Sequence, residues 1–364
     1  MKTEITKLSY GYDGKRCFVH ARSGALNAKE LVLTTQYLNV FGDDDFSLLQ
    51  VSRINDGGKT WSTPKEDHAF FLPAENSVRW SGCDATSLFH KATGKLVTMG
   101  VVVPYRDGEV VPAHGMHHKP FYAVWNEGNG SYDTMRILDI PDAYGLYDAL
   151  PGCTQFIEDV NGDLLVPMYI RSDDREYNDV AVFRCKFDGE TMTVTDMGNV
   201  LTYEVERGLV EPSVILFNGT YYLTLRNDTI GMHAKSTDGL HYTAPEIWTW
   251  DTGLPLPNYN TQQHWLTCGG KLYLVYTRKA GNNDHVFRHR APLSMAQVDP
   301  ETMTLLRHTE VIVAPERGAR LGNFGVCQID DDNAVISVTE WMQPIGCEKY
   351  GSDNSIWITF VSTT

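Results

Sequence analysis

Short apolar runs alternate with turn residues along most of this chain in one repeated order. An apolar run meets a tight turn, a second run ends in polar residues, and a third run follows a loop. Residues 84–90 turn at Thr93-Gly94-Lys95 into 96–103, with 121–125 beyond a loop. The pattern returns at 154–157, 164–170 and 180–183 around Asn161-Gly162, and at 212–216, 221–225 and 232–234 around Asn218-Gly219. It returns again at 263–266, 272–276 and 286–287 around Gly269-Gly270, and at 324–328, 334–338 and 355–360 around Asp331-Asp332-Asn333. An opening unit, 17–20, 31–33 and 46–49, is fainter. Asn-Gly and Gly-Gly between β-branched and aromatic residues predict hairpins, helical periodicity is nearly absent, and units recurring every ~40–70 residues predict an array around an axis. The expected fold is therefore all-β: a single β-propeller domain over residues 1–364, with six blades ahead of seven. Residues 4–10 are expected to supply the outer strand of the last blade and so close the ring. A large β-sandwich would explain the hairpins but not the triplet spacing.

Composition narrows the partners. The 364 residues are 42% apolar, enough for a large core, and 31 Lys and Arg against 46 Asp and Glu give a net charge of -15. Such a chain repels polyanions, so nucleic acid is not an expected partner. No run approaches ~18 apolar residues and Met1 to Lys7 lacks a secretory core, so no membrane partner and a cytoplasmic location are expected; a chain trimmed of its leader would look the same. The seven cysteines form no C-x-x-C pair, which argues against structural zinc and a disulfide framework. Neither His117-His118 nor Asp43-Asp44-Asp45 has a recognised ligand spacing, so neither a metal nor another cofactor is expected. Oligomeric state is left open.

Ile54-Asn55-Asp56-Gly57-Gly58-Lys59-Thr60-Trp61 resembles the Asp-box of the sialidase superfamily, with Ile54 where that motif has serine, and 236–242 looks like a shortened second copy. The resemblance covers nearly the whole chain. It implies a propeller, but the superfamily includes hydrolases, lyases and binding proteins. Sialidases hold their substrate's carboxylate with three arginines, the first in an F-R-I-P motif, and attack with a tyrosine activated by a glutamate. Val19-His20-Ala21-Arg22-Ser23 stands near that first place. Residues 285–293 and 318–325 look more like the sialidase-like propellers that include rhamnose-glucuronate and ulvan lyases. No catalytic residue is carried over from them.

In a propeller, the starts of inner strands and the ends of second strands converge on the central cleft. That sorting selects Asp84, Gln155, Glu211, Gln262 and Asn323 from strand starts, and Gln36, Arg171, Arg226, Arg278 and Glu340 from strand ends. It adds loops carrying His114, His117 and His118, residues 173–177, and His285. Three arginines with histidines and carboxylates suit an acidic sugar, because guanidinium groups match carboxylates bidentately and histidine exchanges protons near neutrality. The expected partner is an acidic oligosaccharide. The leading reading is a lyase that cleaves at a uronic acid by β-elimination, with His114, His118, Arg171 and Glu211 catalytic and Gln155, Arg226, Arg278, His285 and Glu340 binding substrate. The alternatives are an exo-sialidase-like hydrolase, needing two opposed carboxylates such as Glu211 and Glu340, and a non-catalytic glycan-binding propeller. Tyr177, Tyr259 and Trp341 are candidate stacking platforms. His20 and His90 are expected on the opposite rim.

Overall fold

The computed structural model describes residues 1–41, 48–56, 60–75, 78–106, 109–110 and 117–363. Among these, six sheets of chiefly antiparallel strands follow one another along the chain as the blades of a propeller. Blades 1, 2 and 4 begin on the inner strands Arg16–Ala25, Val78–His90 and Val210–Phe217. Blade 3 has a broken inner strand, Asp148–Leu150 and Ile157–Glu158, lying on Leu164–Arg171. Blades 5 and 6 begin on His264–Cys268 and Gly325–Asp330. The strand Lys2–Leu8 pairs antiparallel with Ile356–Ser362, Lys2 opposite Ser362, and so completes the sixth blade as the sequence predicts. Helical structure among the described residues is confined to short 3-10 turns, and no helix is long and apolar enough to cross a membrane.

Alternation sets which blade faces meet. In Met192–Met197 buried and exposed positions alternate through the first four residues, as a half-buried strand requires. Strands in the middle of a blade are buried on both faces and read as near-continuous apolar runs, such as Leu164 to Met168 of the second strand of blade 3. Neighbouring blades pack face to face: Val97 and Met99 of blade 2 share a cluster with Val166 and Met168 of blade 3, and Leu266 and Val275 of blade 5 with Ile336 and Val338 of blade 6. All seven cysteines are buried and unbridged.

The fifth blade departs from the sequence expectation. Its third strand is Leu293–Asp299, whereas Val286 and Phe287 belong to a loop with a 3-10 turn at Phe287–His289. Asn283 explains how that loop keeps its shape without strand pairing. Its buried side-chain amide donates to the carbonyls of Arg278, His289 and Ala291 at 2.9, 3.2 and 2.7 Å. The loop delivers Arg288 and Arg290 to the central cleft.

Candidate active site

A cleft of about 700 Å³ opens at one end of the propeller axis. Three inner strands aim side chains into it by the same device. Blades 1, 2 and 4 each carry an irregularity in strand pairing, between Val19 and Arg22, Cys83 and Thr86, and Val210 and Ser213. Within these irregularities His20, Asp84 and Glu211 adopt φ of 56°, 52° and 47°. A bulge re-aims a side chain that regular pleating would send into the blade interface, and left-handed backbone at non-glycine residues costs on the order of 1–3 kcal/mol. Three such residues lining one cleft mark it as the place where the fold accepts strain.

The polar groups are joined in a chain. Arg226 forms an ion pair with Glu211 at 2.6 Å and donates to Asn260 Oδ1 at 2.9 Å. Arg290 donates to the Asn260 carbonyl and to Asn323 Oδ1 at 3.2 Å. Asn323 Nδ2 and Arg22 Nη2 both approach Cys153 Sγ, at 3.1 and 2.9 Å, and Arg22 meets Asp84 at 3.5 Å. Arg22 lies behind the lining, against Gly325. A Cβ at 325 would stand 2.7 Å from Arg22 Cγ, so only glycine leaves room. Arg320 is fully buried, its guanidinium 3.4 Å from the centroid of Trp341.

The carboxyl groups are driven apart. Burial pushes the Asp84 carboxyl up, but Arg22 and hydrogen bonds from Cys153 and Asn323 help to outweigh it, so the group is held below its ordinary value and stays ionised. Burial raises the Asp148 carboxyl, and the opposing pull of His117, His118 and Arg171 does not cancel it. Asp148 Oδ1 is buried without a hydrogen bond among the described residues, 3.7 Å from His117 Nδ1. The Tyr169 phenol is raised well above its usual value, by burial first and then by Asp84, Cys153 and Glu211, and is therefore neutral. His20 is pushed down to about 3 by burial, against the pull of Asp84 and with Arg22, Arg290 and Arg320 adding to the effect. Its Nδ1 accepts the Asn323 backbone N–H at 3.0 Å, which leaves that nitrogen no lone pair for a substrate proton.

Of the residues the sequence nominates, Asp84, Glu211, Asn323, Arg226 and His118 line the cleft, as does Trp341. His114 lies outside the described residues, with the rest of 111–116 and Asp43-Asp44-Asp45. The other nominees are not brought into the lining. Gln155 clamps blade 3 to blade 5, donating to the Trp265 carbonyl at 2.9 Å and accepting its N–H at 2.8 Å. Arg171 donates to the Glu176 carbonyl, and Arg278 is locked to Glu310 at 2.7 Å. His285 is hydrogen-bonded to Glu316 at 2.9 Å. Glu340 accepts the backbone N–H groups of Asp353 and Ser355 and cannot oppose Glu211. Tyr259 bonds His289. His20, expected on the opposite rim, is in the cleft. His90 is held by Thr93 and Gly162. Asp148, Tyr169, Arg290 and Arg320 escaped the sequence reading. For Arg290 and Arg320 the signals available were the arginines of the two segments 285–293 and 318–325.

The Arg226–Glu211 pair is nearly dehydrated, so removing one partner strands the other charge. Arg226→Met should lower the unfolding free energy by about 3–5 kcal/mol, whereas a surface arginine such as Arg136 replaced the same way should change it little. Equal denaturant midpoints for the two variants would contradict the pairing.

No family model and no curated protein sequence matches the chain. Solved structures do. A Dyadobacter fermentans protein described as of unknown function superposes with a TM-score of 0.68 at 16% identity, over 98% of this chain and 99% of that one. Trypanosoma rangeli sialidase gives a TM-score of 0.60 at 15% identity; all of this chain is covered, and it spans 60% of the sialidase. The NanB sialidase of Streptococcus pneumoniae gives 0.63 at 12% identity, over 98% of this chain and 70% of the enzyme. These likenesses support the sialidase-like propeller and lend nothing to the finer likeness to uronate lyases. The chain has the six-bladed β-propeller fold that sialidases have.

Proposed function

We propose that this protein is a glycoside hydrolase that releases an acidic sugar from a saccharide. The observation that carries the reading is the division of labour in the cleft: Asp84 held ionised, Asp148 raised, and Arg226 and Arg290 joined through Asn260. Two carboxyl groups whose surroundings push their acidities apart are suited to acid and base roles. Arg226 and Arg290 clasp the sugar's carboxylate. Asp148 protonates the leaving glycosidic oxygen, while Asp84 takes the proton of the attacking water or attacks the anomeric carbon itself. Tyr169, neutral, donates a hydrogen bond to the developing charge. Sialidases of the same fold cleave a glycosidic bond at an acidic sugar, which agrees with this class of reaction.

Elimination at a uronate remains a second reading because His118 lines the cleft beside Asp148 and could remove the C5 proton. The products separate the two. A panel of acidic oligosaccharides is incubated with the protein in ¹⁸O-labelled water. Hydrolysis places the label in the released sugar and creates no ultraviolet chromophore. Elimination leaves the sugar unlabelled with an absorbing C4–C5 double bond, and binding without product would identify a glycan-binding propeller.

A further inference from the structure

Blade 3 interrupts its inner strand between Leu150 and Ile157, and the interruption packs against Asp84 from beneath the cleft. A Cβ at Gly152 would stand 2.9 Å from Val101 Cγ2, 3.1 Å from the Tyr169 hydroxyl and 3.5 Å from Asp84 Cβ, so glycine lets the turn come this close. The next residue, Cys153, has a φ of 58° and donates its backbone N–H to the Asp84 carbonyl at 3.2 Å. It shares with His20, Asp84 and Glu211 a left-handed conformation that strains a non-glycine residue and persists where the surroundings impose it. What is imposed here is the place of the thiol. Arg22 Nη2 and Asn323 Nδ2 lie 2.9 and 3.1 Å from Cys153 Sγ. Arginine has no acceptor, and Asn323 Oδ1 already accepts from Arg290 at 3.2 Å, so both nitrogens donate to the sulfur. The thiol's own proton is left for an acceptor, and it goes to the Asp84 carboxylate.

Cys153 is 1% exposed and cannot itself reach a saccharide. Burial pushes its thiol well up; Arg22 opposes this while Asp84 and Glu211 reinforce it, so the group keeps its proton and is a donor, not a nucleophile. We propose that Cys153 is the positioning residue of this site: its S–H aims the Asp84 carboxylate into the cleft, and Arg22 and Asn323 hold the sulfur in place. The inference rests on the hydrolase reading above, in which Asp84 is the base or the nucleophile. A carboxylate tethered by the thiol and by Arg22 at 3.5 Å keeps one orientation, and a misplacement of about 1 Å can cost about a hundredfold in rate. The titratable and charged groups facing Asp84 are Arg22 and the neutral His20 from blade 1, the neutral Tyr169 from blade 3 and, across the thiol, Glu211 from blade 4. Deleting the thiol removes a hydrogen bond to the ionised carboxylate and changes none of those charges, so the Asp84 carboxyl rises.

The test has a substrate-free arm and a kinetic arm. The S–H stretching band of Cys153 is isolated as the infrared difference between the wild type and Cys153→Ser. It should lie below the frequency of an unbonded thiol and rise when the same difference is taken in an Asp84→Asn background. A band indifferent to Asp84→Asn would overturn the inference whatever the kinetics. Turnover is followed with aryl glycosides of a uronic acid and of sialic acid. Cys153→Ala should lower kcat by about tenfold to a hundredfold with KM little changed, and move the acid limb of the rate profile to higher pH. Cys153→Ser should recover much of both, because a hydroxyl can donate to Asp84 and accept from Arg22 and Asn323. Cys185→Ala, which deletes a fully buried thiol from the third strand of the same blade, should cost stability and leave the profile in place. If Cys153→Ala does not fold, the infrared comparison decides. An unchanged kcat and acid limb in Cys153→Ala, with Asp84→Asn inactive, would overturn the inference and leave the hydrolase reading standing. Turnover undiminished in Asp84→Asn, or absent from the wild type on both glycosides, would overturn that reading and the inference with it.

Discussion

Asp84→Asn should lower turnover of an acidic saccharide by about a thousandfold or more while leaving the propeller intact, because it removes the ionised carboxylate and little else. Asparagine tolerates the left-handed φ of 52° at this position better than other uncharged residues. It also keeps an oxygen towards Arg22, so the folding cost stays near a lost charge-assisted hydrogen bond, on the order of 1–3 kcal/mol. Asp148→Asn should behave differently. A general acid matters most for a poor leaving group, so this variant should fail on natural glycosides yet recover on an aryl glycoside whose phenolate leaves unaided. The alkaline limb of the wild-type rate profile should disappear with it, since the raised Asp148 carboxyl sets that limb. Equal losses on both substrates in both variants would mean that the two carboxyl groups do not divide the work.

The second large effect is on stability towards acid. His20 and His264 are pushed down to about 3 and His233 to about 4, burial being the main cause in each. All three are neutral in the folded protein. His264 fits that state, with Nδ1 accepting from the Ser213 hydroxyl and Nε2–H donating to the Phe324 carbonyl, and His233 lies against Trp248 with ring centroids 4.5 Å apart. In the unfolded chain each takes a proton below its ordinary value of 6.5. The unfolded state therefore binds more protons than the folded state between 6.5 and 3–4, and stability is present above 6.5 and lost as the pH falls through that window. The limiting slope is about 1.4 kcal/mol per pH unit for each histidine and on the order of 4 kcal/mol for the three. Denaturant midpoints at about pH 7 and about pH 5 measure it. His233→Gln should flatten the slope by about a third. Unchanged midpoints would show these histidines to be protonated in the folded state.

The architecture was legible because each blade is a local event, two hairpins of a few residues each, and the turns at Gly94, Asn161-Gly162 and Asn218-Gly219 announce themselves. The site was legible only where backbone position alone decides a side chain's direction. Asp84, Glu211, Asn323 and Arg226 meet that condition. Gln155, sorted to the cleft as a strand start, and Arg278 and Glu340, sorted there as strand ends, instead turn their side chains to Trp265, Glu310 and the backbone of residues 353–355. Nothing in a strand's alternation tells which of two faces the last residue takes once the ladder ends. The bulge at His20 shifts register by a residue without a glycine or proline to mark it. Arg290 and Arg320 reach the cleft from irregular loops, where periodicity is silent. Their capture depends on Asn283, Asn260 and Trp341, each unremarkable until the chain is folded.

The central claim is that this cleft grips an acidic sugar by its carboxylate, and a crystal structure of Asp84→Asn with a slowly turned-over acidic saccharide tests it most directly. The account predicts the carboxylate within hydrogen-bond distance of Arg226 and Arg290, with the glycosidic oxygen beside Asp148. A saccharide bound at the opposite rim near His90, or in the groove beside Arg278 and Glu310 with the cleft vacant, would contradict it.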